Sequence, residues 1–282
     1  MVAWNSWLSL MEERIAKREE GVPWFTGNKI KSYDFVKKFG IRTPELFYCL
    51  SAPDELIGKD LPERFVCKPV NLSSSQGVMV LSHKKGNAYI NKMNGKEVSL
   101  SDIVSIQNEI KSKVGLAESQ NYGLILEEWL IGESQNAEEI PYDYKFFCYG
   151  EKIVYIAQYN RNERKNMVSW FLGEFESEDM SGRIICDWKH VNKGEARVPS
   201  CAAGLANIAK KLSRELKTPF VRVDMYATVE GPVFGEFTLT PGAAYYGDVY
   251  KYTYEFDRYC GLLWEAEKIN IELNRNIRDK KC

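Results

Sequence analysis

The sequence predicts an α+β protein of two lobes, a small α/β unit followed by a polar hinge after Glu127 and a larger α+β unit. Three observations predict it. Helical and strand-like apolar patterns alternate along the chain, and at 282 residues it is longer than the roughly 150 residues of a typical domain. A 44% apolar and 13% aromatic content supplies a core and excludes general disorder.

Residues 7–20 predict a charged first helix, and residues 21–27 a loop by their Gly and Pro content. Asn28 can cap a helix whose face is Tyr33, Phe35, Val36 and Phe39, with Gly40 at its stop. Residues 65–69 and 78–81 read as strands around a small-residue loop at 71–77, a hairpin-like unit. Residues 99–114 carry helical spacing, and 123–127 read as a buried strand with an abrupt polar end. Residues 144–149 and 152–159, joined by Gly150 and Glu151, form the clearest hairpin. Residues 160–193 are polar and irregular, with isolated Trp170 and Trp188, and are expected to be a mobile or a substrate-covering region. Ser200 is expected to cap a helix with Leu205, Ile208, Ala209, Leu212 and Leu216 inward. Two further strands follow at 220–225 and 233–237, and the last helix is expected to bury Leu262, Ala266, Ile269, Leu273 and Ile277.

Composition narrows the function classes. Lys+Arg 38 against Asp+Glu 39 leaves a net charge of −1, which argues against a partner held by bulk positive charge such as nucleic acid. Any phosphate must be met by a few placed cations. The first ten residues lack a basic segment followed by an apolar run, and no stretch approaches the roughly 18 apolar residues of a membrane span, so a soluble, cytoplasmic protein is expected. Seven cysteines without a CxxC pair read as buried free thiols. With only His83 and His190, a histidine zinc site or a Ser-His-Asp triad is a poor fit, and neither HExxH nor GxSxG occurs.

The residues that can do chemistry lie elsewhere. In Phe220-Val-Arg-Val-Asp224 and Val233-Phe-Gly-Glu236, two strands end their apolar runs on a carboxylate, and alternation places Arg222 and Asp224 on one face. Asp224 and Glu236 on adjacent strands could share one Mg²⁺, with Arg222 as a permanent cation beside them; a solvated face with an ordinary ion pair is the alternative. Lys68 ends an apolar strand, where an ammonium needs an anion, and the loop after it exposes backbone N–H groups that can cover a phosphate. A snorkelling lysine before a flexible turn fits the same residues. Neither GxxxxGK[ST] nor GxGxxG occurs. In Glu127-Glu-Trp-Leu-Ile-Gly-Glu133 a broken strand could offer backbone groups to a purine edge and Glu133 to ribose hydroxyls, or simply be a solvated strand end. Asp143 and Lys145 face the same side of a strand.

Taken in order, Lys29, Lys68 with its loop, the hinge from Glu127 to Glu133, Asp143 with Lys145, and Arg222, Asp224 and Glu236 resemble the ATP-grasp superfamily, from about Asn28 to Pro241. Within it, Asn28 to Gly40, Tyr142-Asp-Tyr-Lys-Phe-Phe-Cys-Tyr-Gly150, Asp187-Trp188, Phe220 to Tyr226 and Phe234-Gly-Glu-Phe-Thr-Leu-Thr-Pro-Gly242 resemble the TupA-like branch, associated with bacterial surface polysaccharide and teichuronopeptide biosynthesis. The resemblance implies an ATP-grasp fold, two α+β lobes closing on ATP, divided as a helical extension over 1–28, a small lobe over 29–127 and a large lobe over 128–282. It places Lys68 on phosphate oxygens, Ser73, Ser74, Ser75 and Gly77 over the phosphates, and Lys29 and Lys145 as further cations. Adenine would lie along Glu127, Glu128, Trp129 and Leu130, with ribose on Glu133 and Asp143 close by. Asp224 and Glu236 would bind magnesium. Thr238, which stands where many members carry Asn, would be a third and weaker metal ligand, with Thr240 as a further candidate oxygen, and whether one or two Mg²⁺ bind is left open.

The activity so implied is an ATP-dependent carboxylate–amine ligase working through an acyl phosphate, with Arg222 stabilising the tetrahedral oxyanion; a phosphotransferase or a non-catalytic nucleotide-binding scaffold are the alternatives. The carboxylate and the amine could be small molecules or sugar-linked. With only about 28 residues before Lys29, acceptor recognition is expected from residues 160–193, a second copy or a partner chain.

Overall fold

Polar caps and left-handed turns set many element boundaries in the computed structural model, which describes residues 5–115 and 121–279. In chain order the elements are α1 (Trp7–Ile15), α2 (Lys29–Lys37), β1 (Leu46–Leu50), β2 (Arg64–Pro69), β3 (Met79–His83), β4 (Ala88–Asn91), β5 (Lys96–Ser99), α3 (Leu100–Lys113), β6 (Leu124–Glu127), β7 (Asp143–Tyr149), β8 (Lys152–Asn160), β9 (Met167–Leu172), β10 (Ile184–Ile185), β11 (Asn192–Lys193), α4 (Ala202–Leu216), β12 (Val221–Thr228), β13 (Gly231–Thr238), α5 (Gly242–Tyr245), β14 (Lys251–Tyr252) and α6 (Tyr254–Asp279). Ser6 and Asn28 each accept an N–H from the first turn of α1 and α2, and Ser99 forms a reciprocal capping box with Asp102 ahead of α3. These bonds satisfy donors that every helix start leaves unpaired. The first helix ends at Ile15, earlier than expected, and Lys17 just beyond it is in the left-handed region at φ 57°.

Two six-stranded sheets follow, in the orders β1-β6-β2-β3-β4-β5 and β11-β9-β8-β7-β12-β13. Every pairing is antiparallel except β11 with β9. In the first sheet Phe65, Leu81, Leu124 and Leu126 pack under Ile103 and Val104 of α3. The second sheet has a core on each face. Leu205, Ala209, Leu212 and Leu216 of α4 pack on Val221, Val223 and Met225 on one side, while Trp7, Phe147, Tyr155, Phe220 and Trp264 join α1 and α6 to the other.

Three expectations need correction. Residues 167–172, expected to be irregular, form β9 and pair along β8 from Leu172–Tyr155 to Met167–Asn160; an open sheet edge supplied the partner that the local pattern did not reveal. The cap of α4 is not Ser200: the N-cap is Cys201, without a side-chain bond, and Glu133 accepts the Ser200 and Cys201 N–H groups instead. Helix α6 turns the other way. Leu262 is 39% exposed and Ile269 and Leu273 are each 56% exposed, while Phe256, Cys260 and Trp264 point inward and Trp264 stacks on Phe220 at 5.1 Å. Burying a large aromatic ring outweighs burying branched aliphatics on the competing stripe; the side chain of Ile277 is outside the described residues.

Cys67, Cys148 and Cys260 are buried free thiols, Cys186 and Cys201 are half-buried, and Cys49 is exposed. Among the described residues no helix is long and apolar enough to cross a membrane.

Register in the second sheet lines up its charged side chains. Glu236 pairs with Asp224, Asp224 with Lys145, Lys145 with Ala157, and Ala157 with Trp170, so one row of side chains crosses five strands on a single face. The adjacent row on that face holds Tyr226, Asp143 and Tyr159.

Candidate active site

A cleft opens between the two sheets and closes at the hinge. Its floor is the second sheet's Asp143, Lys145, Asp224, Tyr226 and Glu236, facing Val66, Lys68 and Val80 of the first sheet, with Lys29, Ser73 and Ser75 above and residues 127–130 at the hinge.

The first sheet supplies a buried cation with its counter-charge already in place. Antiparallel pairing of β2 with β6 puts Lys68 near Glu127, and Lys68 Nζ lies 2.5 Å from Glu127 Oε1. Tyr33 joins them: its hydroxyl donates to Glu127 Oε2 at 2.8 Å and accepts from Lys68 Nζ at 3.1 Å. Burial, reinforced by Glu127, holds the Tyr33 hydroxyl pKa well above its ordinary value, so it stays protonated. At the start of α2, Lys29 Nζ donates to the Leu72 carbonyl at 2.5 Å and thereby ties the helix to the loop over the cleft. Burial lowers the Lys29 pKa to about 8, helped by Lys68 and opposed by Glu236 and Glu127.

The second sheet supplies a lattice of alternating charge. Arg222 holds Asp224 through two hydrogen bonds, Nε to Oδ1 at 2.6 Å and a terminal nitrogen to Oδ2 at 2.7 Å. That same terminal nitrogen reaches Thr238 Oγ1 at 2.8 Å and Glu236 Oε1 at 3.2 Å. Lys145 bridges Asp224 and Asp143, lying 2.7 Å from the Asp143 Oδ2 atom, and Arg161 meets the same oxygen at 3.2 Å. Burial opposes the charge on Arg222, but Asp224, together with Glu236 and Asp143, more than offsets it and the guanidinium pKa rises. Burial likewise pushes the Glu236 carboxyl pKa up, while Arg222, Lys145, Lys29 and Lys68 together hold it below its ordinary value. Glu236 is therefore ionised at neutral pH, ready to act as a ligand.

The donor set fits magnesium. Among the described residues no group of three or more His, Cys, Asp or Glu could by itself hold a metal ion. Two facing carboxylates, Asp224 and Glu236, are what a hard cation takes from protein when substrate phosphates supply further oxygens. Thr238, bonded to Arg222, sits on the neighbouring register pair with Arg222.

Of the residues singled out in the sequence, Lys29, Lys68, Ser73, Ser75, Glu127, Glu128, Trp129, Leu130, Asp143, Lys145, Asp224 and Glu236 all line this cleft. Arg222 and Thr238 adjoin it through their bonds to Asp224 and Glu236. Ser74 sits in the exposed turn of the loop. Gly77 packs back onto β2, its carbonyl accepting from Gln107 at 2.8 Å. Glu133 is drawn to the start of α4, where it accepts from Ser200 Oγ at 2.5 Å and two backbone N–H groups; a carboxylate is favoured at a helix N-terminus.

Sequence reasoning missed Tyr33, Arg161, Tyr226 and Gly235. Only Arg161 carried a local signal, since it continues the alternation of β8 past Tyr159. Gly235 has a steric reason: a Cβ there would lie 2.9 Å from the Tyr226 ring and 3.1 Å from the Asp224 carbonyl oxygen.

Two facing, mainly antiparallel sheets, with Lys68 on one, Lys29 at the helix start beside it and an acid–arginine row on the other, define an ATP-grasp fold. The chain belongs to the TupA-like ATP-grasp family, whose model matches residues 16–263. Among solved structures it is similar to the D-alanine–D-alanine ligase of Helicobacter pylori (15% identity, TM-score 0.43), covering 78% of this chain and 52% of that one. It is also similar to the D-alanine–D-alanine ligase of Bacillus anthracis complexed with ATP (12%, TM-score 0.47, 92% and 69%) and to the L-amino acid ligase of Bacillus licheniformis (16%, TM-score 0.47, 82% and 47%). The chain thus spans about half the length of the first and last of these. No curated protein matches it.

Proposed function

We propose that this chain is an ATP-dependent ligase that joins a carboxylate to an amine. The observation that carries the proposal is the single row Lys145, Asp224, Glu236 with Arg222 beside it, facing Lys68 across the cleft. Family membership supports the ATP-dependent chemistry, and its association with surface polysaccharide supports a sugar-linked or small-molecule partner handled in the cytoplasm.

In this reading Lys68 and Lys29 meet the phosphates and Ser73 and Ser75 cover them, while backbone at Glu128 and Leu130 meets the adenine. Asp224 and Glu236 would hold Mg²⁺, which supplies charge neutralisation at the transferring phosphoryl group. Lys145, steered by Asp143 and Asp224, places a second positive charge on that group. The substrate carboxylate oxygen bonds to the γ-phosphorus as ADP leaves. The amine nitrogen then bonds to the acyl carbon, the bond from that carbon to the phosphate oxygen breaks, and the departing phosphate takes up the nitrogen's proton. Arg222 offers N–H donors to the oxyanion of the tetrahedral intermediate. We read residues 29–127 and 128–282 as the two lobes and 1–28 as an extension.

The test is product balance. With a panel of amino acids and uronates, ATP turnover should release free phosphate, and with hydroxylamine as acceptor it should give a hydroxamate. Lys68→Ala should weaken ATP binding, while Glu236→Gln should keep most binding and lower turnover by about 10²-fold or more. Phosphate appearing on the substrate would identify a kinase instead.

A further inference from the structure

We infer that Tyr33 is a positioning residue: a strut that braces the Lys68 ammonium against the sheet carrying Asp224 and Glu236, and so fixes its reach toward the nucleotide phosphates. This rests on the nucleotide reading of the cleft proposed above. The two ends of Tyr33 lie in different layers. Its ring is buried in the core that holds α4 on β12 and β13. There it meets Phe234 edge-on at 6.1 Å, and Phe234 stands two residues before Glu236 on β13. Its hydroxyl leaves that core for the first sheet, donating to Glu127 Oε2 at 2.8 Å and accepting from Lys68 Nζ at 3.1 Å. One side chain thereby links the strand of a metal carboxylate to the phosphate lysine across the cleft.

The helix that carries the strut is itself tied down. Lys29 and Tyr33 are one turn apart on α2 and share a face. The Lys29 backbone N–H donates to the Val70 carbonyl at 3.1 Å and its Nζ to the Leu72 carbonyl at 2.5 Å, which fixes the helix start to the chain leaving β2. An ammonium has three N–H donors. Among the described residues Glu127 and Tyr33 are the polar partners of Lys68, so one N–H remains for the cleft that Lys68 lines. Without the Tyr33 hydroxyl, Glu127 Oε2 would stay buried and lose its donor, and the ammonium would be drawn between both carboxylate oxygens, away from the cleft. Tyr33 satisfies the oxygen that competes with the phosphates for Lys68.

The experiment is a double-mutant cycle on the intact chain. ATP affinity in magnesium buffer is read by isothermal titration calorimetry, up to millimolar nucleotide, for the wild type, Tyr33→Phe, Lys68→Gln and the double variant. Tyr33→Phe should weaken ATP roughly tenfold where Lys68 is present and less than about twofold in Lys68→Gln. A side chain that only fills the core would lower the melting temperature in both backgrounds and show no such dependence. Equal losses of affinity in the two backgrounds, or no loss in either, therefore overturn this inference while leaving the ATP site standing. Should Tyr33→Phe fail to fold, Phe234→Leu takes its place in the cycle: it keeps the hydroxyl and removes the ring on which the strut rests, and the same dependence on Lys68 is expected. A wild-type chain that binds no adenine nucleotide overturns the nucleotide reading and this inference with it.

Discussion

Replacing Lys29 with methionine should make folding stability respond differently to pH. Lys29 is 8% exposed, and its pKa falls from 10.5 to about 8 because burial strips solvent from the ammonium and Lys68 repels it. At about 1.36 kcal/mol per pKa unit, a drop of this size means that holding Lys29 charged in the folded protein costs roughly 3 kcal/mol. Between pH 8 and 10.5 the unfolded chain keeps this proton and the folded chain has lost it, so stability contributed by this group rises with pH; below pH 8 the full cost is present. Lys29→Met removes the cost but also the bond to the Leu72 carbonyl, worth about 1.5–3 kcal/mol for a charged donor. At pH 7 the two changes roughly cancel. From pH 7.5 to 10.5 the wild type should gain about 3 kcal/mol relative to the variant, read as the difference between urea midpoints across a pH series. A difference that stays flat over that window would refute the reasoning. The same lysine should be recharged by an anionic triphosphate, so nucleotide binding at pH 8.5 should take up protons in the wild type and not in Lys29→Met, seen as a buffer-dependent binding enthalpy.

Gly77→Ala places a Cβ 2.8 Å from the Pro69 ring at φ +72°, and should destabilise by about 1–3 kcal/mol and weaken ATP binding as the loop over the cleft shifts; thermal melts and calorimetry check both. Gly235→Ala pushes on the Tyr226 ring and the Asp224 backbone, so phosphate release should fall by more than tenfold while circular dichroism stays native. Arg14→Met should cost about 3–5 kcal/mol, read by urea melts, because Arg14 is fully buried and bonds Glu19, Thr218 and the Phe220 and Leu239 carbonyls while stacking 4.1 Å from the Trp264 ring centroid.

Local pattern alone determined the capped start of α2, the helical run of α3, the hairpin at Gly150, the inward face of α4 and the two strands that carry Asp224 and Glu236. Each is set within a few residues, by a side chain that satisfies a nearby N–H or by a repeat matching one secondary structure. Only the tertiary structure decided that β9 extends a sheet, that α6 buries Trp264 instead of Leu262, and that Glu133 leaves the cleft for α4. It alone brought Lys145 between Asp143 and Asp224, and Glu127 onto Lys68. Strand register and helix facing depend on which distant surface offers the larger burial or the missing charge, and no short stretch of sequence contains that partner.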